Sequence, residues 1–120
     1  MKKILAEISL GELADKITIL EIKMKRIVDN ESLNILKKEY QSLKAIDLKG
    51  LDLDKFKKLF NELKSINEKL WDIENEKRLL EKNSDFSDKF VKVSRDVHFM
   101  NDKRAKVKKE INRSFGSNIE

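Results

Sequence analysis

The 120-residue chain has no cysteine and no proline, three glycines, one histidine, and aromatic residues at only 7% of positions. Without cysteine there is no disulfide, no thiolate nucleophile and no cysteine-ligated zinc site. Without proline, and with so little glycine, the chain lacks the turn residues that sandwiches and barrels need at short intervals. No apolar run approaches the length of a membrane-spanning helix. The opening Met1-Lys2-Lys3-Ile4-Leu5-Ala6 starts like a secretory signal, but Glu7 and Glu12 interrupt it. A cytoplasmic protein with no membrane association is the expectation.

Charge is what the chain has in quantity: 41% of residues are Asp, Glu, Lys or Arg. Disorder is excluded for most of the length by apolar residues that recur at helical spacing. Such a composition suits long amphipathic helices with solvated outer faces, and the length suits one domain over residues 1–120 with a single modest core. The net charge of +5 and isoelectric point near 9.3 owe much to one stretch, Lys103-Arg104-Ala105-Lys106-Val107-Lys108-Lys109 with Arg113. A basic stretch can attract nucleic acid or an acidic partner. This one lacks the interleaved aromatics and the motif of a nucleic-acid binder, so a solvated helix face is the better reading.

Residues 3–8 alternate weakly and read as a short extended segment that pairs with another copy or lies across the helices. Ser9-Leu10-Gly11-Glu12 is a capping box. Behind it, Leu10, Leu13, Ile17, Leu20, Met24 and Ile27 predict a helix over about 10–28, while Ile19 and Ile22 make a second apolar face that requires a further neighbour. Asp29-Asn30-Glu31-Ser32 ends that helix and caps a second, over about 32–45, on Leu33, Leu36, Tyr40 and Leu43. Gly50 marks a turn, and Asp52 or Asp54 caps a third helix over about 55–81. Asn83-Ser84-Asp85 breaks the chain before a fourth helix, over about 86–114, closed by Gly116. The short break makes the third and fourth helices an antiparallel hairpin, each arm roughly 40 Å long. Two shorter N-terminal helices cover only part of it, and a homodimer is the economical way to cover the rest. The fold class is all-α: a coiled-coil-like helical bundle.

The apolar seams of this hairpin contain groups that do not belong in a core. Leu59, Leu63, Ile66, Leu70, Ile73 and Leu80 define one stripe, and Asn67, Glu74 and Arg78 project close to it, beside Phe56, Phe60 and Trp71. Phe90, Val93, Val97, Met100, Val107 and Ile111 define the other, with Arg104 in its middle and Asn101 and Lys108 on its flank. Glu21 falls at the edge of the first helix's apolar face. An unpaired buried charge costs several kcal/mol, against a total stability of about 5–15 kcal/mol. These groups therefore pair with each other or with a ligand. In the hairpin's own register Arg104 lies a turn or more from Glu74, so Arg104 needs Glu21, an acid from a second subunit, or a bound anion. Glu74 and Arg78 can pair along their own helix.

Two readings of this inward set compete. One is a pocket in which Glu21, Asn67, Glu74, Arg78, Asn101, Arg104 and Lys108 hold a small anion. The other is a buried polar network that fixes the register of a leucine-rich bundle. Phe60 and Trp71 read as core and Tyr40 as a cover residue. His98 is a boundary residue with no partner at catalytic spacing. Glu12-x-x-Asp15 has the spacing of a helical carboxylate metal site, but Glu12 is committed to the cap and Asp15 points away from the main stripe. No second acidic pair faces it, as all-helical pyrophosphohydrolases would require. No metal, cofactor or catalytic residue is expected.

Three blocks carry a resemblance: Asp15-Lys16-Ile17-Thr18-Ile19-Leu20-Glu21-Ile22-Lys23; Asn67-Glu68-Lys69-Leu70-Trp71-Asp72-Ile73-Glu74; and Asn101-Asp102-Lys103-Arg104-Ala105 with Lys109-Glu110-Ile111-Asn112. In this order and at this length they resemble a small bacterial family of unknown function, over nearly the whole chain. Leu10 stands where that family has a proline, a change that the first turn of a helix accepts. The resemblance implies no activity. It does imply that Asp15, Lys16, Glu21, Asn67, Trp71, Glu74, Arg78, Asn101, Asp102 and Arg104 lie in or beside signature blocks. The residue types are also similar to those of all-helical chorismate mutases, whose dimeric bundles hold a dianion with Arg, Lys, Glu and amide groups, but the spacing of their first helix is missing. The sequence thus points to a non-enzymatic binding or assembly module whose polar seam is structural or holds a small anion. The alternatives are an enzyme acting on an acidic metabolite, with Arg104, Arg78 and Lys108 gripping anions and Glu21 or Glu74 as acid or base, and a nucleic-acid-binding protein.

Overall fold

The computed structural model describes residues 2–46, 48 and 50–116. They form four helices: α1 (Leu10–Arg26), α2 (Asn30–Lys44), α3 (Leu53–Lys82) and α4 (Asp88–Ser114). The fold is an all-α bundle. No strand occurs among the described residues, and the segment expected to be extended, residues 3–8, is exposed, with Ile4 and Leu5 out in solvent. Asp47 and Lys49, beside the turn expected at Gly50, lie outside the described residues; Gly50 itself takes a positive φ of 84°. No helix among the described residues is long and apolar enough to cross a membrane.

Local chemistry sets the helix ends. The Ser9 hydroxyl accepts from the Glu12 amide at 3.1 Å, Asp29 from the Ser32 amide at 3.0 Å, and Asp52 from the Lys55 amide at 3.1 Å. Each satisfies one of the donors that a helix start leaves open. The capping box at Ser9 is half made, because the Glu12 carboxylate turns to Lys108 instead of back to the cap. Helix α4 begins two residues later than the spacing predicted, because Asp85 accepts from the Ser87 amide at 3.1 Å and holds Phe86 and Ser87 in the turn.

Helices α3 and α4 are antiparallel, and α1 lies against both. Its N-terminal half runs antiparallel to α4, with Gly11 at Asn112, Glu12 at Lys108 and Asp15 at Arg104. Helix α2 packs on α1 and buries no residue. Helix α1 is thus covered on three sides: Leu13, Ala14, Asp15, Ile17, Thr18, Leu20 and Ile22 are all buried. The main core sits at the end away from the α3–α4 turn, where Ala14, Leu59, Leu63, Val107 and Ile111 meet under Phe56, Phe60 and Phe115. Gly11 is needed for this approach. A Cβ there would overlap the Lys108 carbonyl oxygen and sit 2.8 Å from Asn112 Oδ1, in a position now used by the Gly11 amide to donate to that oxygen at 2.7 Å.

The α3–α4 turn closes as a Schellman motif. Asp85 donates its amide to the Leu80 carbonyl at 2.8 Å and Ser84 to that of Glu81 at 3.0 Å, which places Ser84 in the left-handed region at φ 54°. A side chain there is strained, and glycine is the residue this geometry favours. Ser84→Gly is therefore expected to raise stability by about 0.5–1 kcal/mol, seen as a higher urea midpoint at unchanged slope; a lower midpoint would count against the motif.

Candidate functional site

The polar groups of the seams converge on one carboxylate, and it is Asp15. Four-, three- and four-residue steps along α1 put Gly11, Asp15, Thr18 and Ile22 on a common stripe, and the same four-residue step on α4 aligns Arg104, Lys108 and Asn112. The stripes face each other. Asp15 is 1% exposed. Its Oδ1 accepts from Arg104 Nε at 2.9 Å, its Oδ2 from Arg104 Nη2, and Lys108 Nζ lies 3.6 Å from Oδ2. From α3, Asn67 Nδ2 donates to Asp15 Oδ1 at 2.9 Å and to Thr18 Oγ1 at 2.8 Å, while the Thr18 hydroxyl donates to the Asp15 carbonyl at 2.8 Å. Lys108 completes the chain with Glu12 at 2.6 Å.

Burial pushes the Asp15 carboxyl up. The hydrogen bonds from Arg104 and Asn67, with the charges of Arg104 and Lys108, outweigh it and hold the group below its ordinary value. For Arg104 the order is reversed: the bond to Asp15 raises it, against partial burial. The bidentate guanidinium–carboxylate contact is the strongest ion-pair geometry that side chains offer, and here it spans two helices with a third donating to the same oxygen.

The expectation that Asp15 points away from the main stripe is corrected by this geometry, and so is the expected partner of Arg104. The latter is neither Glu21 nor an outside anion, but Asp15. The reason is that α1 is enclosed on three sides, so a residue off the leucine stripe is still interior. Glu21 instead accepts from Lys64 at 2.9 Å and from Tyr40 at 3.0 Å, tying α2 and α3 to α1. Burial, then the bond to Glu21 and its charge, raise the Tyr40 hydroxyl's pKa. Asn101 is exposed and takes no part. His98 is also exposed, 3.8 Å from Asp102. Among the described residues no group of three or more His, Asp or Glu is placed to hold a metal ion. In the basic stretch, Arg104 and Lys108 turn inward to acids while Lys103, Lys106 and Lys109 stay in solvent.

The remaining candidates meet beside the Asp15 cluster. Ile19, Ile22, Lys23, Asn67, Leu70, Trp71, Glu74, Arg78 and Arg104 line a cleft of about 260 Å³ between α1, α3 and α4. Trp71, expected in the core, is half-buried here, with the Arg26 guanidinium 5.9 Å from its ring centre and paired to Asp72. Glu74 and Arg78 do not pair with each other as expected. Among the described residues the Lys23 ammonium and the Arg78 guanidinium have no ion-pair or hydrogen-bond partner. Sequence reasoning missed Lys23 and Asn112; the four-residue row Arg104, Lys108, Asn112 was the available signal for the second.

The chain belongs to a family of unknown function, DUF6165, whose model matches residues 3–120. No curated protein and no solved structure matches it.

If the Asp15 cluster is architecture, removing one partner strands a buried charge. Arg104→Leu is expected to lower stability by about 3–5 kcal/mol, and the Asp15→Leu/Arg104→Leu double variant by much less. Urea melts of the wild type, both single variants and the double variant measure this, and a double-variant loss equal to the sum of the two single losses would remove the coupling. The depressed Asp15 pKa gives a second expectation. Its contribution is complete above the ordinary carboxylate value of 3.8 and is lost as pH falls through the lower folded value. Below the ordinary value of 3.8, wild-type stability should therefore fall more steeply with falling pH than that of the double variant.

Proposed function

We propose that this member of DUF6165 is a non-enzymatic binding module whose cleft between α1, α3 and α4 holds a small organic anion with an apolar body. One observation carries the reading: the cleft combines an apolar lining of Ile19, Ile22, Leu70 and Trp71 with three cations, Lys23, Arg78 and Arg104, against one carboxylate, Glu74. Ligand pockets are mostly apolar with a few convergent polar groups, and this cleft has that lining at a volume just below their usual range, which limits it to a small ligand. Two of the cations have no partner to displace among the described residues. Arg104 commits Nε and Nη2 to Asp15, which fixes the guanidinium plane. A preorganised donor of that sort loses little entropy on binding. Trp71 offers a flat apolar wall suited to a ring.

Binding is favoured over turnover by the residue types. Glu74 is the single carboxylate among the residues lining the cleft, and no serine, threonine, cysteine or histidine lines it. The same cations would serve an enzyme of acidic metabolites, so the test includes product analysis. In isothermal titration, phenylpyruvate and phenylacetate are expected to bind, with inorganic phosphate at least about tenfold weaker because it cannot use the apolar wall. Arg78→Ala and Lys23→Ala should each weaken binding about tenfold or more, the range for hydrogen bonds to charged groups, without moving the melting midpoint. Absence of heat with every carboxylate would end the reading. Chemical conversion of a bound acid would replace it with the enzymatic one.

A further inference from the structure

Helix α2 packs on α1 but not on α3. A polar joint holds the three helices at one level: Tyr40 of α2 and Lys64 of α3 both donate to Glu21 of α1, at 3.0 and 2.9 Å. One turn further along each helix, by four-residue steps to Lys44, Phe60 and Ile17, the joint gives way to a space of about 280 Å³. Ile17, Leu43, Ile46, Leu48, Phe56 and Phe60 wall it. On α3 the lining falls at 56, 57, 60 and 61, one edge of the helix over roughly a turn and a half, so the space is a slot that follows the helix axis. The slot shares no residue with the cleft at Trp71. Its α2 side is unfinished packing, since Leu43 faces it and α2 buries no residue.

Close-packed interiors leave few gaps larger than a water molecule, and the polar joint at Glu21 keeps this one from closing by setting how near α2 comes to α3. Lys44, Lys57 and Asn61, all exposed, mark its solvent edge. Among the described residues no acid lines the slot, and neither ammonium has an ion-pair or hydrogen-bond partner. The wall therefore calls for a hydrocarbon body, and the two unopposed cations at the rim call for one anionic end. A slot that runs along a helix takes an unbranched chain better than a ring. Taking a methylene as water-sized, about 30 Å³, the space holds roughly nine such groups. We propose that this slot between α1, α2 and α3 is a second binding site, for a free straight-chain carboxylate of roughly six to eight carbons, its chain against Phe56 and Phe60 and its head between Lys44 and Lys57.

Isothermal titration of the full chain with butyrate, hexanoate, octanoate and decanoate tests the assignment. Affinity is expected to rise about fourfold per methylene up to octanoate, then to level off at decanoate, whose chain outgrows the slot. The Lys44→Ala/Lys57→Ala variant should weaken octanoate about fivefold, the range for two exposed ion pairs, and leave 1-octanol as it was. Ile46→Asp, at an exposed position of the wall, should weaken octanoate at least about tenfold with circular dichroism and melting midpoint unchanged. Trp71 is the single tryptophan and lines the other cleft, so its emission should not move. No octanoate binding, affinity independent of chain length, octanoate binding that survives Ile46→Asp, or a lysine variant that weakens octanol as much as octanoate overturns the proposal. So does a Trp71 shift on octanoate addition that Arg78→Ala abolishes, which would put the acid in the cleft between α1, α3 and α4 and support that reading instead.

Discussion

A carboxylate enclosed on every side must be answered by donors from the elements that enclose it, and Asp15 imposes that requirement on the bundle. Desolvating an acid to this degree costs several kcal/mol unless its lone pairs are filled. The hydrogen bonds and ion pairs that answer it centre on Asp15 and its neighbour Thr18, drawn from α3 through Asn67 and from α4 through Arg104 and Lys108. Leucine stripes pack equally well after a slip of one turn; a bidentate arginine does not. The cluster fixes how α1 sits on the hairpin. Gly11 permits the close approach at one end of that contact and Glu21 anchors α2 on its other side.

The placement of α1 in turn makes the cleft. A helix held by its polar stripe to Arg104 and Asn67 presents Ile19, Ile22 and Lys23 toward Trp71, Glu74 and Arg78. Arg104 and Asn67 belong to both features. One side of each side chain is turned to Asp15, and another borders the cleft. The two readings of the inward polar set are therefore not exclusive. The network is structural at Asp15, and the proposed anion site lies against its outer edge, where the hydrogen bonds that stabilise the fold also hold a cation rigid.

The helices were legible because their determinants are local: apolar spacing for the faces, and Ser9, Asp29, Asp52 and Gly116 for the ends. The inward position of Asn67, Arg104 and Lys108 was legible too, because a polar group beside an apolar seam announces itself. Their common partner was not. The position of Asp15 on its helical wheel is inward only if α1 has neighbours on several sides, and that is a tertiary fact. Glu12 escaped for a similar reason: a capping box is a local expectation, and a lysine on another helix competes more strongly for the carboxylate. Arg78 and Glu74 were expected as an i, i+4 pair, but on a surface helix that attraction is roughly a few tenths of a kcal/mol, too weak to hold two long side chains together.

The difference in length between α1 and the hairpin arms divides the molecule. The 17 residues of α1 cannot cover the 30 of α3. The half they cover holds the core and the Asp15 cluster; the other half has only the α3–α4 seam and the turn closed at Ser84. A two-helix hairpin is marginal alone because nucleation is costly and one seam buries little apolar area. Its distal part needs either strong local closure or a further surface to pack on. The Schellman turn supplies the first. Val91 and Phe99 of α4, each about half exposed, mark where the second is missing. The cleft sits on the boundary between the two halves, lined by the last turns of α1 and by Trp71, Glu74 and Arg78 where the hairpin emerges. A ligand there would bridge the fixed half and the free one. The uneven cover that leaves Val91 and Phe99 of α4 exposed is thus also what leaves the cleft open.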